Sequence, residues 1–292
     1  MLLLRRTVAA LRRAGHEATL LAPASSGPAL LGPGPAEADR LLAWDGPEAA
    51  GLLADGGPPP GSFRDAVASH DAAIAFTRNS AIHRSLRALV PRFAAGDPLP
   101  APDAGHASWQ YAQRLGALDV RVEGEPPLLE ATPADRAEAA PWLDRLGPEF
   151  LAVHPGSGSP AKTWPADRFA SLTDALHDRR PWLLVEGPAD AAAARTLAAL
   201  PGAVHARGVS ARGLGALLAR ARLYVGNDSG VSHLAAAWGA PTLALFGPTD
   251  PDVWSPVGPK VACLRGVGGR MEGIAVEKAV TAARDLWRSA RG

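Results

Sequence analysis

From Glu149 onward the chain alternates short apolar runs with helix-length stretches, and this rhythm restricts the possible folds more than any other feature. The runs Phe150 to His154, Trp182 to Glu186, Leu223 to Gly226 and Thr242 to Phe246 are separated by Ala166 to Asp178, Ala189 to Leu200, Ala211 to Ala221 and Val231 to Trp238. Short continuous apolar runs are the pattern of strands covered on both faces, as in a parallel sheet. Strand–helix–strand succession predicts a doubly wound α/β layer with its ligand crevice beyond the carboxyl ends of the strands.

The first half carries the same alternation less cleanly. Helical stretches at Thr7 to Ala14, Ala81 to Val90 and Ser108 to Leu115 intersperse with apolar runs at Ala18 to Leu21 and Ala72 to Phe76. The Gly/Pro-rich stretches Ser25 to Pro35 and Gly56 to Gly61 cannot continue a helix or a central strand and are expected as surface loops. With 292 residues there is room for two domains of about 150 each. Residues 1–147 are expected as one Rossmann-like domain and 148–275 as a second, with a closing helix, 276–292, expected to pack back on the first.

Composition excludes several classes. The chain is 47% hydrophobic without a run near the ~18 apolar residues of a membrane span, which predicts a soluble protein. At its start the apolar residues Leu2 to Leu4 precede Arg5 and Arg6, the reverse of a secretory signal, so a cytoplasmic location is expected. Thirty basic residues against 29 acidic argue against an electrostatic grip on nucleic acid. Cys263, the only cysteine, excludes a disulfide framework within the chain.

Two strand-to-helix loops carry chemistry. In the first, His154-Pro155-Gly156-Ser157-Gly158-Ser159-Pro160-Ala161-Lys162-Thr163-Trp164-Pro165, small residues let the backbone approach a ligand, and backbone N–H groups favour an anion such as phosphate. Lys162 adds a full positive charge, one of only three lysines in an arginine-rich chain. An ordinary exposed loop with a solvated lysine is the competing reading, because the segment matches no P-loop signature. In the second, Gly226-Asn227-Asp228-Ser229-Gly230 ends a strand and opens a helix, with His233 one turn inside. Asp228 or Ser229 as a plain helix cap, and His233 as a structural histidine, are the competing readings. Together the two loops describe a diphosphate site. A third run, Asp250-Pro251-Asp252, has DxD metal-site spacing, but Pro248 and Pro251 make a rigid turn in which a bond from Asp250 to its own backbone is an equal reading.

At these residues the sequence resembles glycosyltransferase family 9, the ADP-heptose:lipopolysaccharide heptosyltransferase family. The resemblance rests on His154-Pro155-Gly156 with Lys162 and Trp164-Pro165, on Gly226 to Gly230 with His233 to Ala237, and on Pro241 with Phe246 to Pro251, and it covers about residues 150 to 260. Weaker agreement lies in Glu186 to Asp190, near the nucleoside in the family, and in Gly208 to Ser210. The resemblance implies a GT-B architecture, two Rossmann-like domains facing across a cleft, and an inverting transfer that uses no metal or other cofactor. It implies that Ser157, Gly158, Ser159 and Lys162 hold the diphosphate, that Glu186 and Asp190 lie by the nucleoside, and that Asp228, Ser229, Gly230 and His233 bind the donor near its phosphates and sugar. Lys162, Asp228 and His233 are the expected catalytic residues. The implied partners are a nucleotide-diphosphate sugar, ADP as nucleotide, and a glycan or lipid-linked glycan acceptor, with a monomeric chain at the inner face of the cytoplasmic membrane.

The front departs from the family pattern. Family members begin with a strand and a Gly-x-x-Gly-Asp loop whose aspartate is the expected base, whereas Met1 to His16 resembles the helix that follows them. The expectation is a start codon placed too late, with an active enzyme as the leading reading and an inactive nucleotide-sugar-binding protein as the alternative. A nucleotide-sugar epimerase would need carboxylates or histidines in the first domain, for which His70, His83 and His106 are candidates.

Overall fold

A computed structural model describes residues 1–53, 61–187 and 190–289. The chain forms two compact units that divide between Pro127 and Leu128.

In the first unit, helix α1 (Arg5–Arg13) is buried along most of its length. Its Arg6 places its guanidinium 3.9 Å over the Trp109 ring and 2.7 Å from the Glu125 carboxylate. Strands β1 (Thr19–Ala22) and β2 (Arg40–Ala43) form one parallel pair. Helix α2 (Ser62–Ala68) leads to β3 (Ala72–Phe76), α3 (Ser80–Leu89) and β4 (Arg92–Gly96), with β3 and β4 as a second parallel pair. The Asn79 side chain accepts hydrogen bonds from the N–H groups of Ala81 and Ile82, so α3 starts there. Helix α4 (Ala107–Ala112) continues as a 3-10 turn, Gln113–Leu118. Neither β2 nor β4 stood out in the sequence, because Arg40-Leu-Leu-Ala and Arg92-Phe-Ala-Ala-Gly are too short and weakly patterned. The Ser25 to Pro35 stretch contains a 3-10 turn whose Leu30 is fully buried, and most of the expected Gly56 to Gly61 loop lies outside the described residues.

The second unit opens with α5 (Pro133–Leu146), started by a reciprocal capping box between Thr132 and Asp135. It continues through β5 (Leu151–His154), α6 (Ala166–Leu176), β6 (Trp182–Val185), α7 (Ala191–Ala198), β7 (Ala203–Ala206), α8 (Ala211–Leu218), β8 (Leu223–Asn227), α9 (Gly230–Ala237), β9 (Thr242–Phe246), α10 (Pro251–Trp254), β10 (Val261–Arg265) and α11 (Val276–Ser289). The six strands form one parallel sheet in the order β10-β9-β8-β5-β6-β7. Strand order reverses at β5, which pairs with β6 on one side and β8 on the other. That reversal opens a crevice beyond the carboxyl ends of β5 and β8.

The division at Pro127/Leu128, ahead of the expected 147/148, has a side-chain cause. Helix α5 lies against α8, where Arg212 pairs with Asp135 at 2.9 Å and Ser210 Oγ donates to Glu138 at 2.5 Å. A Cβ on Gly213 would stand 2.3 Å from Glu138 Oε2, so glycine permits that approach. The closing helix also belongs here. Ala279, Val280 and Ala283 of α11 join Leu151, Val153, Phe169 and Leu245 in one buried cluster, so its apolar stripe covers the second unit's sheet where packing on the first domain was expected.

Candidate functional site

Four loops converge beyond the carboxyl edge of the second sheet. His154 ends β5, and the following loop is braced from within. Ser157 Oγ donates to Ser159 O at 2.6 Å and lies 2.9 Å from Thr163 Oγ1, while the Ser159 N–H donates to Ser157 Oγ. Ser157 thus shapes the loop, while Gly158 is exposed and faces open space. Gly156 is there for a different reason: a Cβ would stand 1.8 Å from Cγ of Asp190, whose carboxylate lies against the backbone at this point.

Asn227, fully buried at the end of β8, ties the two loops together. Its amide donates to Pro155 O at 2.9 Å and Gly156 O at 3.1 Å, and its Oδ1 accepts the Trp164 N–H at 3.0 Å. Trp164 in turn donates through Nε1 to Ile274 O at 3.1 Å, which fixes the far end of the Gly/Ser loop.

Lys162 sits on a 3-10 turn, Pro160–Lys162, and its Nζ reaches Asp228 Oδ2 at 2.8 Å. The same carboxylate oxygen accepts from Thr249 Oγ1 at 2.6 Å. Asp228 is buried and Lys162 half-buried, so an anchored carboxylate holds a cation at the mouth of the crevice. Sequence reasoning missed Thr249 as a site residue, and its signal was its place in Gly247-Pro248-Thr249, directly past a strand.

Buried His154 and Asp190 form a chain with half-buried Ser229. His154 Nε2 lies 2.7 Å from Asp190 Oδ2, and His154 Nδ1 lies 3.3 Å from Ser229 Oγ. The hydrogen bond from His154 holds the Asp190 carboxyl below the usual carboxylate range against its burial, with the Gly187 N–H adding a second donor. Ser229 occupies the N-cap position of α9 yet makes no side-chain capping bond. The first-turn N–H groups of α9, at Gly230 and Val231, have no intrahelical partner and carry the positive end of the helix dipole. His233 is half-buried on that same first turn. Tyr224 and Ser232 support the loop from below, with Tyr224 Oη 3.0 Å from Ser232 Oγ, and burial pushes the Tyr224 phenol up.

Glu186 is turned toward β7. Its carboxylate lies 2.6 Å from His205 Nε2 and 3.3 Å from the Arg207 guanidinium. Asp250 accepts from the Asp252 N–H at 3.0 Å, capping α10, and pairs with Arg265 at 3.0 Å. Among the described residues no group of three or more His, Cys, Asp or Glu side chains gathers to hold a metal, and no helix is long and apolar enough to cross a membrane.

An open parallel α/β sheet whose strand order reverses at β5, with a lysine and a helix start beside the reversal, is a domain of the Rossmann-like class. The model of glycosyltransferase family 9 (heptosyltransferase) matches residues 108–278, and the chain belongs to that family. The lipopolysaccharide heptosyltransferase 3 of Escherichia coli is 34% identical over 118 residues, 38% of this chain and 35% of that protein. The chain thus spans about a third of that curated relative's length. Two solved structures have its α/β, GT-B fold. The glycosyl transferase family 9 protein of Veillonella parvula DSM 2008 superposes with a TM-score of 0.77 at 20% identity, covering 99% of this chain and 93% of that one. The ADP-heptose lps heptosyltransferase II of E. coli gives 0.77 at 19% identity, covering 99% and 96%.

Proposed function

We propose that the protein transfers heptose or a related sugar from a nucleotide diphosphate, with ADP as the nucleotide, to a lipopolysaccharide-like glycan acceptor, inverting the anomeric centre without a metal. The observation that carries this reading is the pairing of a cation with an uncapped helix start: Lys162 is held by Asp228 beside the loop that opens α9. A departing diphosphate gains negative charge as its bond to the sugar breaks. Lys162, the N–H groups of Gly230 and Val231, and the Ser157 to Ser159 loop are arranged to meet that charge. Asp228 acts through Lys162, and His233, on the first turn of α9, is assigned to the donor near its phosphates and sugar. Asp190 and Glu186 lie on the loop that would receive the nucleoside. Family membership and the ADP-heptose named for the E. coli structure support the donor class.

The test is a panel of nucleotide-diphosphate sugars, assayed by released nucleotide with a heptose-deficient lipopolysaccharide core as acceptor. ADP-heptose is expected to be turned over with formation of a new glycosidic bond, and activity to persist in EDTA because the Asp250 carboxylate is already committed to α10 and Arg265. Tight ADP binding without transfer to any acceptor would favour the binding-only reading. Loss of activity in EDTA, restored by magnesium or manganese, would overturn the metal-free mechanism.

A further inference from the structure

We propose that Thr249 is a positioning residue of the donor site, which fixes the Lys162 ammonium by holding the carboxylate that the lysine is paired with. The inference rests on the diphosphate reading above. Thr249 Oγ1 donates to Asp228 Oδ2 at 2.6 Å, and Lys162 Nζ donates to the same oxygen at 2.8 Å. Two donors from two different loops share one carboxylate oxygen.

The position of the ammonium depends on that oxygen. Lys162 sits at the end of a short 3-10 turn, Pro160–Lys162, whose start has no side-chain cap, and its side chain is 32% exposed. Asp228 is buried, and its N–H donates to Leu245 O at 2.8 Å, which fixes its backbone. The carboxyl group itself can still turn, because the last torsion of an aspartate has broad, roughly two-fold wells. A flexible lysine would follow either oxygen. A second donor that bonds one oxygen from a rigid base removes that freedom.

Thr249 has such a base. It lies between Pro248 and Pro251, whose rings fix φ. Its neighbour Asp250 caps α10 by accepting the Asp252 N–H at 3.0 Å and pairs with Arg265 on β10 at 3.0 Å. Two residues before Thr249, a Cβ on Gly247 would stand 2.8 Å from Met271 Sδ and 3.2 Å from Ala161 O, so the loop is seated on the turn that carries Lys162. The threonine hydroxyl also takes a share of the charge on Oδ2, so the carboxylate draws less on the ammonium. An ammonium has three N–H bonds and spends one on Asp228, which leaves the others for phosphate oxygens.

ADP is titrated calorimetrically into the parent, Thr249→Val, Thr249→Ser, Lys162→Ala and the Lys162→Ala, Thr249→Val double variant. Valine keeps the outline of threonine and deletes the donor, whereas serine keeps the donor. Thr249→Val is expected to weaken ADP binding roughly 3- to 10-fold, and Thr249→Ser by less than about twofold. In the Lys162→Ala background the valine is expected to cause no further loss, because Thr249 acts through the lysine. Where Lys162→Ala binds too weakly for calorimetry, the rise of Tm with ADP concentration supplies the same comparison. Equal losses from Thr249→Val with and without Lys162 would overturn the proposal, since Thr249 would then touch the nucleotide directly or merely prop the fold. So would a serine variant as weak as the valine variant, or a valine variant that binds like the parent. No detectable ADP binding by the parent would instead overturn the diphosphate reading on which it rests.

Discussion

Lys162 Nζ stands 2.8 Å from Asp228 Oδ2 across 66 residues of sequence, and the strand order alone brings them together. Each follows a strand, β5 and β8, and these strands are neighbours in the sheet. The pair keeps a lysine pointed at the crevice, where an unpaired side chain would spread over many rotamers.

Replacing Lys162 by alanine removes a charge-assisted contact to a bound diphosphate, worth about 1.5 to 3 kcal/mol. ADP affinity is expected to fall roughly 10- to 150-fold, as read by calorimetry. Thr249 still satisfies the Asp228 carboxylate, so the melting temperature should drop by only a few degrees. Unchanged ADP affinity would remove Lys162 from the site.

Gly156→Ala places a methyl group where the Asp190 carboxylate lies, 1.8 Å from its Cγ. Asp190 must move and His154 loses its partner. Nucleotide affinity is expected to fall at least tenfold, whereas Gly158→Ala, whose Cβ meets open space, should bind ADP like the parent. The comparison of the two dissociation constants checks this.

Asn227→Ala should be among the most destabilising polar substitutions in the second unit. It leaves the buried Trp164 N–H and two carbonyls without their partner, at a cost of about 2 to 3 kcal/mol. Thermal unfolding should show a loss on the order of 4 to 12 °C. A shift below 2 °C, read against a typical surface substitution, would show that the loops do not depend on this cross-link.

The Asp190 carboxyl is held below its ordinary value by the hydrogen bond from His154. A carboxylate depressed in the folded state stabilises the protein above its unfolded pKa near 3.9, and that contribution disappears as pH falls through the folded value. The melting-temperature gap between the parent and Asp190→Asn is therefore expected to be full at pH 5 to 6 and to close below about pH 4. A gap independent of pH would show that the carboxylate's charge contributes nothing.

The sequence alone determined the parallel α/β character of the second half, the two glycine- and serine-bearing strand-to-helix loops and the family. Apolar runs, glycines, caps and basic residues at strand ends act through local periodicity and turn chemistry, which neighbouring residues settle. Tertiary structure decided which side chains meet. Asp190 lies on Gly156 and bonds His154, 36 residues away, because β6 is the strand beside β5. Glu186, four residues from Asp190, turns toward His205 and Arg207 on the β7 side. Helix α11 joins the second core and α5 precedes it within the same unit because each finds an apolar or ion-pairing face there, a match that no local pattern encodes. Ser229 reads in sequence as an ordinary helix cap, and only the position of His154, brought alongside by the pairing of β5 with β8, turns its hydroxyl away from that role.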